Sequence, residues 1–453
     1  MKRLVKKYSN LFKHSTFLRS VSVLVSGQVI GQVIALISIP IISRLYTEKD
    51  FGEYAIFSST ARIILGIGAL GLSSAIMAPR DQERSKEVFF TAFFIEIVVF
   101  SLFLIIALIL APFFKFYTIS VSYLVTIVLS FIYMVLNGVS GLLSTYMNKL
   151  KQFRQLFWNS VITGISILFI TIPLGYLGFG VLGFIIAGIC GSLASNIQMI
   201  IKSNPFQKIL SINEMLSVCK EFKDYIIYQF PSNWISTFTT QLPNQIFSNV
   251  YGNTALGGYS MSERALGYPI LLIATPVGTI YFRHATQFVH EGRMNDLAAF
   301  TFSFILKILK IAFIPSVLFM VFSKQLFGFI LGSNWQTAGL IASILTIQYV
   351  FKFCDKCIGY CMVVLNKQKE NFLISIIKLS LIAISLSIGV IFFEGIFNTI
   401  LCLAIGSTIA QMIILSVDFY YLGIRWRKFL PPLLLFAVGA AILAIAMNLL
   451  LQS

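Results

Sequence analysis

The sequence predicts an all-α polytopic membrane protein built of two parallel six-helix lobes, with one further helix at the C-terminus. Three observations predict it. Charged residues make up 11% of the 453, against roughly 25% in an ordinary soluble domain, and the mean hydropathy is +0.88. Apolar runs long enough to span a bilayer recur along the whole chain. Short motifs of the first half reappear in the second, six helices later.

The runs place helices near 17–43, 52–78, 88–112, 119–147, 155–175, 178–201, 225–248, 256–282, 299–322, 338–365, 371–393, 397–420 and 430–450. A span needs about 20 residues at 1.5 Å rise each, and the longest runs imply tilt or extension beyond the bilayer. The first run follows the basic start Met1-Lys2-Arg3. It is too long for a signal-peptide core and no small-residue cleavage site closes it, so it reads as a retained helix. The break at 202–224 carries basic residues and Pro205 and reads as a cytoplasmic linker. The expected organisation is an N-terminal lobe at 1–201, that linker at 202–224, a C-terminal lobe at 225–420 and the additional helix at 421–453. No extracytoplasmic domain is expected, because no outward loop exceeds about 20 residues.

Two echoes support the repeat. Asn148-Lys149-Leu150-Lys151 closes the fourth helix and Asn366-Lys367-Gln368-Lys369 the tenth, 218 residues later. Phe51-Gly52-Glu53-Tyr54-Ala55 matches Leu256-Gly257-Gly258-Tyr259-Ser260 at an offset of 205. Six helices are an even number, so both halves keep the same membrane orientation, an arrangement that suits two lobes rocking about a central cavity.

The net charge of +17 raises nucleic acid as a partner, but topology accounts for it without one. With the N-terminus inside, twenty-three of the 34 basic residues fall on the inner side, among them Lys149, Lys151, Arg154, Lys202, Arg283 and Arg425. Four fall outside: Arg44, Lys49, Lys115 and Lys324. That asymmetry sets an N-terminus in the cytoplasm. The six cysteines, Cys190, Cys219, Cys354, Cys357, Cys361 and Cys402, suggest reduced thiols rather than a disulfide framework.

Seven basic residues lie inside the helices: Arg62, Arg264, Lys307, Lys310, Lys352, Lys356 and Lys378. The acids at comparable depth are Glu96, Asp355 and the less deeply placed Glu263. A charge at mid-bilayer costs about 2.5–3.5 kcal/mol, so it faces a cavity or a partner. A cavity lined by this basic excess attracts an anion, and Arg62 and Arg264, on matching helices, offer planar forks for phosphate oxygens. Alternatives stand beside this reading. Lys307, Lys310 and Lys378 are also placed to snorkel to an interface. Lys352, Asp355 and Lys356 also fit a structural ion pair. Glu96 fits either an ion-coupling site or an uncharged carboxyl buried against lipid.

Cys354, Cys357 and Cys361 have metal-like spacing, yet neighbouring Lys352 and Lys356 repel a cation, and small core residues are the better reading. No phosphate-binding glycine loop, nucleophile elbow or zinc signature appears, so no catalytic residue, metal or cofactor is expected. The seventh helix is unusually polar, with Asn233, Thr237, Thr239, Thr240, Gln241, Asn244 and Gln245. It reads as cavity-facing, as a bending gate, or as a set of interhelical hydrogen bonds.

Phe51-Gly52-Glu53-Tyr54 with Gly68-Ala69-Leu70-Gly71, Leu256-Gly257-Gly258-Tyr259-Ser260, and Leu331-Gly332-Ser333-Asn334-Trp335-Gln336-Thr337-Ala338-Gly339 resemble the polysaccharide repeat-unit flippases (Wzx type) of the multidrug/oligosaccharidyl-lipid/polysaccharide exporter superfamily. Asn366-Lys367-Gln368-Lys369 fits too, and the resemblance covers essentially the whole chain. It implies a V-shaped two-lobed fold with a cationic central cavity in the bacterial cytoplasmic membrane. It implies that undecaprenyl-diphosphate-linked oligosaccharide moves from the inner to the outer leaflet by ion-coupled alternating access, for O-antigen, capsule or exopolysaccharide synthesis. Glu96 and Asp355 would then be the candidate coupling sites. The partners implied are this lipid-linked oligosaccharide, membrane lipids and other polysaccharide-assembly proteins. The rivals are a multidrug exporter of the same superfamily, which would favour exposed carboxylates, and a membrane polymerase or ligase, which would need a large outward loop.

Overall fold

The computed structural model describes residues 16–110, 119–206, 210–359, 361–365 and 367–452. The basic N-terminal stretch, Lys115, Lys208 and Asn366 of the second echo lie outside the described residues. The described chain is helical, with no strand among the described residues. In order it forms α1 (Thr16–Leu45), α2 (Glu48–Gly68), α3 (Leu72–Ala75), α4 (Gln82–Leu110), α5 (Tyr123–Lys149), α6 (Phe153–Tyr176), α7 (Val181–Ser203) and α8 (Ile212–Glu221). A π-helical turn (Tyr225–Gln229) leads into α9 (Phe230–His290), followed by α10 (Met294–Leu331) and a 3₁₀ turn (Ser333–Trp335). Then come α11 (Gln336–Ile358), α12 (Cys361–Val364), α13 (Gln368–Phe392), α14 (Ile396–Tyr421) and α15 (Trp426–Gln452). Among the described residues, 10 helices are long and apolar enough to cross a membrane. The all-α membrane class therefore stands, and the appended C-terminal helix is α15.

The sequence reading is corrected at four places, each for a local reason. The second helix starts earlier, at Glu48, because Thr47 and Asp50 form a reciprocal cap: Asp50 N donates to Thr47 Oγ1 at 3.2 Å and Thr47 N to Asp50 Oδ2 at 2.9 Å. It ends at Gly68 rather than near 78, since Leu70 and Gly71 take positive φ of 46° and 81°. The apolar residues beyond, Leu72, Ala75 and Ile76, are fully buried in protein. The expected linker contains a helix, α8, started by the capping box of Ser211 and Glu214. Helices seven and eight run into one another as α9, broken at Gly252, whose φ of 81° and ψ of 173° favour glycine.

The chain divides into two compact units, Met1–Ser38 with Phe57–Thr237, and Ile39–Ile56 with Phe238–Ser453. In the first, α3 and α8 pack on α4, α5 and α7 through Leu72, Phe89, Leu142, Tyr146, Met199, Val218 and Phe222. Arg84 ties α4 to α8 by an ion pair with Glu221. Lys149, from the first echo, donates to the carbonyls of Met77 and Pro79 and so closes the turn after α3. The second unit is built on Tyr281, Leu309, Phe351, Cys354, Ile358, Leu415, Phe419, Phe429 and Phe436, so the cysteines of α11 serve as core.

The tip of the α1–α2 hairpin, Ile39–Ile56, belongs to the second unit. Trp335 Nε1 donates to Ser43 O at 2.8 Å, Ser43 Oγ donates to Leu331 O at 3.0 Å, and the Phe51 and Trp335 rings meet edge-on at 5.0 Å. Its centre is a crossing of two glycines. A Cβ at Gly52 would strike the Asn253 carbonyl and lie 2.9 Å from Gly257 N; one at Gly257 would strike the Glu48 carbonyl. Residues 48 and 52 relate to 253 and 257 by the same offset of 205 found in the sequence echo. Both partners are backbone, which cannot swing aside, and such overpacking costs about 1–3 kcal/mol or more. Gly52→Leu and Gly257→Leu should each lower the thermal unfolding temperature of the purified protein by several degrees. Gly141→Ala, at a site with nothing within 4 Å, should leave it unchanged. Equal unfolding temperatures for all three variants would show that the crossing yields.

Candidate functional site

Helix α11 buries Phe351, Cys354 and Cys357 completely. Helical spacing then turns Lys352, Asp355 and Lys356, related by i, i+3 and i, i+4, away from that core. Lys352 and Asp355 are half-buried and Lys356 is exposed. Lys352 Nζ sits 4.6 Å from the centre of the Tyr349 ring, a cation–π contact. The Tyr349 hydroxyl donates to Glu263 Oε1 at 3.1 Å, so Glu263 orients the ring beneath the lysine. Helix α13 adds Lys378, within electrostatic reach of Asp355, Lys352 and Lys356. Among the described residues, no carboxylate makes an ion pair with Lys378 within 4 Å. Three lysines and one aspartate thus share this region of the second unit.

A cavity of about 350 Å³ opens beside them, lined by Leu271, Ala274, Thr275 and Gly278 of α9 and by Asp355, Lys356 and Gly359. Gly278 lets the helices meet, its Cβ position lying 3.1 Å from Lys356 O. Behind the cluster lies Asp418 of α14, 3% exposed. It shares a hydrogen bond with Cys361 and feels the charge of Asp355. Cys361 also bonds Tyr281, whose hydroxyl is 3.0 Å from Thr301 Oγ1. The sequence reading missed Asp418. It stands three residues before the end of its helix, where an acid is ordinarily taken for the wet end of a span. On α11 and α13 themselves three lysines stand against the single carboxylate of Asp355, with Glu263 turned to the Tyr349 hydroxyl and Asp418 buried in the core; that local basic excess suits an anion better than a cation.

Of the other expected residues, Arg264, Lys307 and Lys310 belong to the same unit and Arg62 and Glu96 to the first. Arg264 of α9 is stacked over Phe51 and Tyr54, its guanidinium 5.4 Å from each ring centre. Lys307 and Lys310 are exposed on α10, off the Thr301, Ile305 and Leu309 face that enters the core. Arg62 and Glu96 belong to the first unit. Arg62 is exposed on α2. Glu96 is 5% exposed, wedged between α2 and α5: Cβ positions at Gly68 and Gly138 lie 3.2 Å from its Cγ and 2.7 Å from its Oε2. Its Oε2 has no hydrogen-bond partner among the described residues. Gly138→Leu should therefore lower the unfolding temperature, and Glu96→Ala should recover part of the loss, a coupling of about 0.5–3 kcal/mol for residues in contact. Additive effects in this double-mutant cycle would show that Glu96 does not fill the space above Gly138.

The profile of a family described as "Polysaccharide biosynthesis protein" matches residues 41–340. Among solved structures, one described as lipid II flippase MurJ in an inward closed conformation aligns with a TM-score of 0.67 at 14% identity, covering 95% of this chain and 98% of that one. Another, the inward-facing conformation of a multidrug resistance MATE family transporter of the MOP superfamily, aligns at 0.63 and 13% identity, over 86% of this chain and 94% of that one. At these identities the likeness is one of fold. No curated protein matches the sequence.

Proposed function

We propose, since the chain belongs to the polysaccharide biosynthesis protein family, that it is a flippase of lipid-linked oligosaccharide. It carries undecaprenyl-diphosphate-linked repeat units from the inner to the outer leaflet of the bacterial cytoplasmic membrane, with its N-terminus inside. The observation that carries the reading is a cavity of about 350 Å³ lined by Lys356 and Asp355, with Lys352 on the same helix and Lys378 within electrostatic reach. Three lysines at membrane depth, each costing about 2.5–3.5 kcal/mol, are explained by an anion that enters from the bilayer. A diphosphate supplies several acceptor oxygens, and lysine meets them as a mobile point charge. The isoprenoid tail needs no protein pocket, because lipid solvates it throughout.

Arg62 supplies a second cationic group, on the first unit. The chain passes between the units within α1, α2 and α9. Pro40 lies just beyond the first of these passages and Pro243 just beyond the last. Helices bend where proline interrupts their hydrogen bonds, which suits alternating access. A multidrug exporter is the rival, and the solved MATE structure shares the fold. Such a carrier binds cations, which the lysines repel. Glu96 and Asp355 are the acids available for ion coupling, and neither arrangement calls for an enzyme.

In a strain deleted for this gene, complementation with Lys378→Ala or Arg62→Ala should restore less than about a tenth of the surface polysaccharide. The protein should remain in the membrane, and lipid-linked intermediate should accumulate on the inner leaflet. Normal polysaccharide from either variant would remove that residue from the substrate path. The matched exchange Asp355→Lys with Lys356→Asp separates binding from scaffolding: restored function would mark the two as a structural pair.

A further inference from the structure

The structure divides the polar residues of α9 into two groups. Thr239, Gln241, Asn244 and Ser248 are buried, and their bonds run between side chains of the protein: Asn244 Nδ2 donates to Gln241 Oε1 at 3.4 Å and Ser248 Oγ to Asn253 Oδ1 at 2.7 Å. Asn233 and Ser236 of α9 are exposed instead, as is Gln229 at the end of the preceding π-helical turn. Steps of four and three residues put these on one stripe of the helix, about 10 Å long at 1.5 Å per residue. Gln229 Nε2 donates to Asn233 Oδ1 at 3.1 Å, which aligns the two amides along the stripe and leaves the Asn233 amide hydrogens as donors.

Tyr225 opens a helix long and apolar enough to cross a membrane. Asn233 and Ser236 lie about 12 and 17 Å beyond it along the axis, a depth within the hydrocarbon layer of about 30 Å when that layer begins at Tyr225. Amides and hydroxyls left in lipid are strongly unfavourable, so the stripe faces water or a polar ligand. Its place is fixed by the intervening Trp234, whose Nε1 donates to Ile63 O at 3.2 Å and whose ring lies 3.1 Å from the Cβ position of Gly66. That anchor sets the stripe's helix against the segment of α2 that carries the exposed Arg62. The stripe holds no charge. Its chemistry is that of neutral donors and acceptors, which matches sugar hydroxyls, whereas a diphosphate is held most strongly by charged donors.

We propose that Gln229, Asn233 and Ser236 form a carbohydrate-binding strip that hydrogen-bonds the hydroxyls of the glycan. The proposal rests on the flippase reading above and adds the part of the site that reads sugar. Two probes separate them: a short-chain polyprenyl diphosphate, and the same chain carrying one N-acetylhexosamine on its terminal phosphate. Both are titrated against purified full-length protein in lipid nanodiscs. The wild type should bind the sugar-bearing probe at least tenfold more tightly. Asn233→Leu combined with Ser236→Leu should reduce that preference below threefold while binding the bare diphosphate within twofold of wild type, which also reports a folded protein. The conservative pair Asn233→Gln with Ser236→Thr should keep the preference. Equal binding of the two probes by wild type, or an undiminished preference in the leucine variant, would overturn the strip while leaving the flippase reading intact. Failure of wild type to bind either probe would overturn both.

Discussion

The crossing of Gly52 over Gly257 is the contact on which the second unit depends. Two helix ends meet there backbone to backbone, at a separation no side chain permits. Everything around it follows from that approach: Phe51 reaches Trp335, the indole reaches the Ser43 carbonyl, and Arg264 lies between Phe51 and Tyr54. The contact is built from the two copies of the internal repeat, each glycine resting on the residue four before the other. It has the logic of an isologous interface, in which one patch is complementary to its own copy, carried out within a single chain.

A second constraint is the scarcity of charge. With 11% charged residues, each ionisable group in the membrane is exceptional and each is accommodated in its own way. Arg264 is stacked on aromatic faces, Glu96 fills the space above a glycine, and Asp418 is held by a thiol. The group on α11 and α13 combines several charges of one sign with an open cavity. That combination, rather than any single lysine, separates a binding region from residues that merely tolerate burial.

Much of the fold was legible because a bilayer imposes one signal, a long apolar run, on every spanning helix. The signal misled where apolarity served protein packing instead, as at Leu72–Ile76, which the sequence joined to the second helix and the structure buries against α4 and α5. The echo at offset 205 was visible, but not that its two copies touch, since equality of motif carries no distance. Lys352, Asp355 and Lys356 stand on one helix, where spacing alone brings them to neighbouring positions. Lys378 joined them only through tertiary packing, which spacing along one helix does not encode. The polar face of the seventh helix was noticed, yet its division into buried and exposed residues depends on neighbours such as Ile63 and Gly66.

The seating of the first hairpin also has a consequence for synthesis of the chain. Ser43 bonds to residues 288 and 292 positions further along. At about 5–20 residues per second, the ribosome needs roughly 15–60 s to make that length. For all of that time the tip of the first hairpin has emerged without the surface that will receive it. The cap formed by Thr47 and Asp50 is local to the segment, so it favours a helical start there before the receiving surface is made. The hairpin tip thus reaches its final contacts only when residues 331–335 have been made, so this contact is among the later ones to close.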